Sequence, residues 1–412
     1  MIKMKDSGIP WIGQIPEDWE VAKYKFFATS GMGETILGGN LVEDGIPVYS
    51  ATQNNTVFGY VKSSSLKLNK NDFVIPARGN SIGCVTIVKD NEATATQTTI
   101  YSKLNDKINY KFLYYCCVGL KDVWFYFEDT AIPQITVNQV QNNKVPLPPK
   151  EIQQKIVEIL DKKCGQIDEL VRIEENEIEK LKEYKTSLIT KVVTKGLDPN
   201  AKMKDSGIPW IGQIPEDWKI GRLKFYAQIK TGSTPPTNIK QYFDENINWF
   251  TPSDFKNMYL NNSERKIASS FLTDFNITLF PLKTTLLVGI GATCGKIALI
   301  NNEGYCNQQI TAIVASNNID RKFMFYEMSA IQKYLKENAL YTTLPILNNE
   351  YIKNINIIIA DIEIQQQIVD YLDKRCEEID NLIKIKQEKI EKLKEYKKSL
   401  IYQYVTGKKE VV

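Results

Sequence analysis

The sequence predicts an α+β protein made by internal duplication, in which two β-rich regions alternate with long amphipathic helices. Three observations carry that reading. The segment MKDSGIPWIGQIPEDW at Met4–Trp19 returns letter for letter at Met203–Trp218. EIQQKIVEILDKKC from Glu151, leading into IEKLKEYKTSLI, returns as EIQQQIVDYLDKRC from Glu363, leading into IEKLKEYKKSLI. The middles, 20–150 and 219–362, have diverged while keeping the same order of β-rich runs followed by an aromatic helix. The repeat is too long for a solenoid and describes a duplicated domain plus helix. The boundaries it predicts are 1–150, 151–196, 197–362 and 363–412.

Each element has its own warrant. IPVYSAT, DFVIPARG, GCVTIVKD and TTIYSKL in the first middle, and TTLLVGIGAT, GKIALINNEG and ITAIVAS in the second, are short β-rich runs broken by Gly, Asn and Pro. Helical stretches follow at Tyr110–Val118 and Arg321–Lys336, an order that suggests α+β layering. Val145–Pro149 carries three prolines and predicts an extended hinge. Ile152, Ile156, Ile159 and Leu160 then share one face of a short helix, and a longer helix is expected from Ile167 to Val193, roughly 40 Å long.

In the longer helix Val171, Ile178, Leu181, Leu188 and Val192 keep heptad spacing, with Glu174 and Lys185 in the two remaining positions. The second copy matches with Ile383, Ile390, Leu393, Leu400 and Tyr404. Neither stripe can be buried alone, so the two long helices are expected to pack against each other as an antiparallel coiled coil related by a pseudo-two-fold axis.

Composition narrows the function. The chain has 412 residues, no histidine and a net charge of +3. Without histidine there is no Ser-His or Cys-His nucleophile and no mixed Cys/His zinc site. The small positive excess lies in the two middles, weak support for an anionic partner. Seven cysteines without a C-x-x-C pair fit reduced thiols, and Cys164 and Cys376, at equivalent positions, are expected to be packing residues. The absence of a long apolar run and of a signal-like N-terminus predicts a cytoplasmic protein.

Three motifs invite chemistry and fail. Gly289–Lys296 places five residues where the phosphate loop needs four and is followed by Ile297, so it is expected to be a glycine-bearing turn between strands. Thr234-Pro235-Pro236-Thr237 lacks both the amide or acid and the aromatic of the amino-methyltransferase element it faintly resembles. Trp11, Trp19, Trp210 and Trp218 could stack on bases, but their identity in both copies favours anchoring of the segments that lead into the domains.

The recurring residues resemble a known family. Ser-Gly-Ile-Pro-Trp-Ile-Gly-x-Ile-Pro-x-x-Trp, at the start of both copies, is similar to the domain boundary of the specificity subunit of type I restriction–modification enzymes. So is the Ile-Gln-Gln-x-Ile-Val…Leu-Asp…Tyr-Lys-x-Ser-Leu-Ile element of both helices. The resemblance covers the whole chain. It departs from the pattern in the second copy, where Ala360-Asp361-Ile362 replaces the proline hinge and a less rigid junction is expected.

The resemblance implies a non-catalytic subunit whose variable regions are target recognition domains, each reading half of a split, asymmetric site in double-stranded DNA. The helices would set the half-site separation and dock two modification (methyltransferase) subunits, with restriction/translocase subunits completing the complex. S-adenosylmethionine, ATP and Mg would be used by those partners, and no cofactor or metal by this chain. A recognition subunit for a fused methylase–nuclease polypeptide is the alternative. DNA-binding side chains are expected at Gln53, Asn54, Asn55, Lys62, Arg78, Asn80, Ser81 and Gln97 in the first region. In the second they are expected at Lys230, Thr231, Ser233, Lys240, Ser253, Lys296, Asn307, Gln308 and Thr342.

Overall fold

A computed structural model describes residues 3–52, 56–126, 133–341 and 344–411, without the side chains of 244, 245 and 341. The chain packs as two compact units. The first comprises Met1–Glu175 with Gln387–Val412, and the second Asn176–Lys386. Each unit therefore contains one diverged middle and part of both long helices.

In the first unit a four-stranded antiparallel sheet has the order Ala28–Met32, Thr99–Leu104, Phe73–Pro76, Thr86–Ile87. A smaller sheet places Ile46–Tyr49 between Gly59–Val61 and Thr94–Ala95. In the second unit the same scheme returns as Ala227–Thr231, Ile310–Ala315, Thr285–Val288, Ile297–Ile300, extended by Tyr259–Leu260. Its smaller sheet centres Phe243–Phe250 between Lys266–Ile267 and Gly304–Cys306. The expected β-runs all contain strands, though GCVTIVKD contributes only Thr86–Ile87. Ala28–Met32 and Ala227–Thr231 were not anticipated. The proline hinge is extended as expected, and it is also a strand: Lys144–Leu147 pairs with Glu20–Lys23. Asn356–Ile359 pairs with Lys219–Arg222 in the same way.

The short helix and the longer one expected after it are a single helix, Lys150–Lys195, of 46 residues. Its counterpart Ile362–Val405 has 44 residues. Gly165 is the only residue that argues for a break, and one helical glycine costs about 1 kcal/mol against alanine, less than the flanking burial returns. Ile156, Val157, Leu160, Cys164 and Ile167 on either side of it are all buried.

The repeated residues attach each middle to its helix. Gln153, 1% exposed, accepts a hydrogen bond from the Asn109 backbone N–H at 2.9 Å and donates to the Pro148 carbonyl at 2.9 Å. Gln365 does the same with Asp320 N–H at 2.8 Å and the Ala360 carbonyl at 2.7 Å, so the junction without prolines keeps the same clamp. About two helical turns further on, Asp161 accepts from Lys111 and Tyr115, and Asp373 from Lys322 and Tyr326. The aromatic helix of each middle is thus held at its N-cap and along its flank.

The segments leading into the domains are anchored through Trp19 and Trp218, both buried. Gly407, with φ of +70°, ends the second long helix in the first unit against Pro16 and Trp19, and Gly196, with φ of +72°, ends the first in the second unit against Trp218. Both are αL caps where a side chain would be strained.

Within each unit the helix segments run antiparallel. In the first, Asp168 pairs with Lys397 at 2.7 Å and Glu174 with Lys389. In the second, Glu177 pairs with Lys386, and Lys185 with Asp380 at 2.7 Å. Rising numbers on one helix meet falling numbers on the other. The heptad residues Val171, Ile178, Leu188, Val192, Ile390, Leu400 and Tyr404 are buried, and Leu181, Ile383 and Leu393 half-buried. Cys164 and Cys376 are buried too, and burial pushes both thiols up to about 11.

One buried acid has no counterpart. Glu327 is fully buried, accepts from the Ile358 N–H through Oε1, and its Oε2 has no hydrogen-bond partner among the described residues. The equivalent position in the first unit is Cys116. Burial pushes the Glu327 carboxyl up to about 8. The folded state keeps its proton to that pH while the unfolded chain releases it near 4.5. Stability is therefore lost as pH rises through this window, by about 1.4 kcal/mol per pH unit. Glu327→Gln should remove that slope, giving a variant more stable than wild type at pH 8 with the difference shrinking toward pH 5 in urea titrations. Gln365→Leu should cost about 2–4 kcal/mol, because it strands the Asp320 N–H and the Ala360 carbonyl. The urea midpoint measures it.

Candidate nucleic-acid interface

In the four-stranded sheet of the first unit, Ala28–Met32 and Phe73–Pro76 run antiparallel to Thr99–Leu104 between them. Their C-terminal ends and the start of the central strand therefore meet at one edge. The end of Ile46–Tyr49 reaches the same edge, where Thr96 N–H bonds the Tyr49 carbonyl at 2.9 Å.

The second unit builds its edge with matching backbone bonds. Gly33 N–H to Thr99 O at 3.0 Å corresponds to Gly232 N–H to Ile310 O at 3.1 Å. Ala77 N–H to Thr98 O at 2.9 Å corresponds to Gly289 N–H to Gln309 O at 2.8 Å. Gly83 N–H to Pro76 O at 3.0 Å corresponds to Gly295 N–H to Val288 O at 2.8 Å, which makes Gly289–Lys296 the turn between strands that its spacing predicts. The side chains on this common frame differ: Arg78, Asn80 and Ser81 stand where the second unit has Ile290, Ala292 and Thr293.

Several expected contacts gather here. Arg78 and Asn80 are exposed just beyond Phe73–Pro76. Ser81 is buried and donates to the Ala51 carbonyl at 3.0 Å, so it holds the loop. Gln97 is exposed and accepts from Thr35 Oγ1 at 2.8 Å. In the second unit Gln308 accepts from Thr234 Oγ1, the same bond at the equivalent place. Asn307 is buried and donates to Gln309 at 3.0 Å. Lys230 and Thr231 close their strand, and Thr231 Oγ1 accepts from Asn349 at 2.8 Å. Ser233 donates to Tyr305 at 3.3 Å, Ser253 bonds Thr251 at 2.8 Å, and exposed Lys296 reaches the Phe255 carbonyl at 3.4 Å.

Two lysines are not brought to the edge. Lys62 follows Val61, whose partner Ile46 begins the strand that ends at Tyr49, so it lies at the far end. Lys240 precedes Phe243–Phe250 and lies at the far end of that strand from Phe250. Gln53, Asn54, Asn55 and Thr342 lie outside the described residues. Composition did not point to Thr35, Thr234, Gln309 or Asn349, yet Gly33-Glu34-Thr35 and Gly232-Ser233-Thr234 share a Gly-x-Thr spacing that would have found the first two.

No His, Cys, Asp or Glu group of three among the described residues is placed to hold a metal ion. No helix among them is long and apolar enough to cross a membrane.

The deciding comparison is with protein families: residues 16–183 and 215–395 each match the type I restriction modification DNA specificity domain. The chain belongs to this family. It is a specificity subunit, a DNA-binding and non-catalytic component of restriction–modification. The MjaVIII type I specificity subunit of Methanocaldococcus jannaschii is 26% identical over 96% of this chain and 94% of its own length. The MjaX subunit of the same organism, described as putative, is 25% identical over 96% and 95%. A chain solved in a study of complex assembly and conformational transition of the type I R-M system shares the fold, with a TM-score of 0.71 at 15% identity, covering 95% of this specificity subunit and 98% of that chain.

The frame of each edge rests on a glycine against backbone. A Cβ on Gly232 would stand 2.0 Å from the Cys306 carbonyl oxygen, and one on Gly33 2.3 Å from that of Thr96. Gly232→Ala should cost about 2–4 kcal/mol by thermal or urea unfolding, because backbone must move apart, whereas Gly38→Ala, with nothing within 4 Å of its Cβ, should be nearly neutral.

Proposed function

We propose that the two edges are two DNA readers, each recognising one half of a bipartite asymmetric site, and that the long helices are the spacer between them. The observation that carries this is the pair of matching backbone frames bearing different side chains: one way of approaching DNA, two sequences read. Phosphate contacts would set position and base edges would set sequence. Arg78, which has no counterpart in the second unit, is the strongest candidate for a bidentate guanine contact. Asn80, Gln97, Lys230, Thr231, Ser233, Ser253, Lys296 and Gln308 complete the two surfaces.

The antiparallel ion pairs and buried heptad residues support reading the helices as a coiled-coil ruler. Half-sites one helical turn apart lie roughly 34–36 Å from each other on the duplex, within the span of a helix this long. In this reading two modification subunits dock on the subunit and restriction/translocase subunits join them. S-adenosylmethionine, ATP and Mg belong to those partners, whether separate or fused into one methylase–nuclease polypeptide. The compartment would be the cytoplasm.

Exchanging residues 20–145 for the same region of a homologue should replace one half-site and leave the other unchanged, read by mapping methylated sites; a change in both halves together would refute separate readers. Arg78→Ala should relax one base pair of the first half-site at a cost of about 1–3 kcal/mol if Arg78 reads a base. Uniform weakening with a smaller salt slope would assign it to a phosphate.

A further inference from the structure

The two long helices are near copies, yet at their centre the charges are reversed. Between Ile173 and Ile178 the first reads Glu174-Glu175-Asn176-Glu177; between Ile385 and Ile390 the second reads Lys386-Gln387-Glu388-Lys389. Glu174 and Glu177 of the first are lysines at the equivalent positions of the second. These four residues form pairs across the helices: Glu174 with Lys389 in the first unit and Glu177 with Lys386 in the second. Glu174 occupies a buried heptad position, where the sign of its partner matters most.

The other cross-helix pairs behave differently. Asp168 and Asp380 are equivalent, as are Lys185 and Lys397, and the bonds are Asp168 with Lys397 and Asp380 with Lys185, at 2.7 Å each. Since both copies carry the same Asp and the same Lys, these bonds would form equally well between two first helices or two second helices. The apolar stripes match in kind and differ most at Val192 and Tyr404, and Glu175, 3.7 Å from Lys394, has the neutral Gln387 as its equivalent, so that pair repels in no combination. Of these pairs only the central quartet would set like charges against each other. Two first helices from separate chains, paired in the same register, would set Glu174 against Glu177 twice, and two second helices would set Lys386 against Lys389 twice.

We propose that Glu174, Glu177, Lys386 and Lys389 are a charge code that selects pairing of the first long helix with the second and excludes pairing of like helices from separate chains. Near-identical stripes distinguish two copies of a coiled coil poorly, and a repulsive element against the wrong partner does so directly.

Two full-length variants of identical net charge test it. E174K/E177K/K386E/K389E exchanges the charges of the two helices whole, so both pairs stay complementary and like helices still repel. E177K/K389E makes each helix complementary to itself, while between the two helices it opposes Glu174 with a second carboxylate and Lys386 with a second ammonium. The first variant should match wild type in mass by light scattering and in urea midpoint. The second should populate a species of twice the 47.2 kDa chain mass or lose about tenfold in its folded-to-unfolded ratio, the scale of two repulsive contacts in place of two attractive ones. If both variants behave alike, whether both like wild type or both equally destabilised, the code is refuted.

Discussion

A helix with one apolar stripe cannot bury it alone, and the rest of this structure depends on how that requirement is met. In each unit one helix segment is covered by a segment from the other copy, in antiparallel order, with ion pairs along the seam. The repeated sequence is explained by this arrangement. Gln153 and Gln365 tie the helix to the N-cap of the aromatic helix above it, and Asp161 and Asp373 hold that helix along its side. These residues are constant in both copies because they build the platform, and a platform has no reason to differ.

The diverged middles obey a second rule. Their strand order and their edge hydrogen bonds are kept, while exposed residues at the edge change from Arg78 and Asn80 to Ile290 and Ala292. The bond from Thr35 to Gln97 and its repeat from Thr234 to Gln308 are the exception, a polar device kept by both edges. The cores have drifted as well, since Glu327, its carboxyl pushed up by burial, fills the position of Cys116.

Much of this was legible in the residues. Duplication, the alternation of β-rich middle and helix, the heptad stripes and the turn at Gly289–Lys296 all follow from local pattern, which burial and backbone geometry then obey. The single long helix was not legible, because the apolar face from Ile152 to Leu160 and the heptad stripe from Val171 read as two patterns, and only the buried residues between them, Cys164 and Ile167, carry the helix through. Ala28–Met32 and Ala227–Thr231 are short and carry Ser, Gly, Gln and Lys, so they have no alternation strong enough to announce a strand. Chemical type and nearness to a strand end are all that the sequence offers for a site residue. Arg78, Asn80, Gln97 and Gln308 lie at the edges, but a linear pattern does not distinguish the two ends of a strand, and Lys62 and Lys240 lie at the other end.

Gly407 meets Pro16 and Trp19 as Gly196 meets Pro215 and Trp218. The last helical turn of the chain is thus packed on the segment that opens the first copy, in the manner that the middle of the chain is packed on the segment that opens the second. The same seam is made twice, once between residues close in sequence, Gly196 and Trp218, and once between residues far apart in it, Gly407 and Trp19.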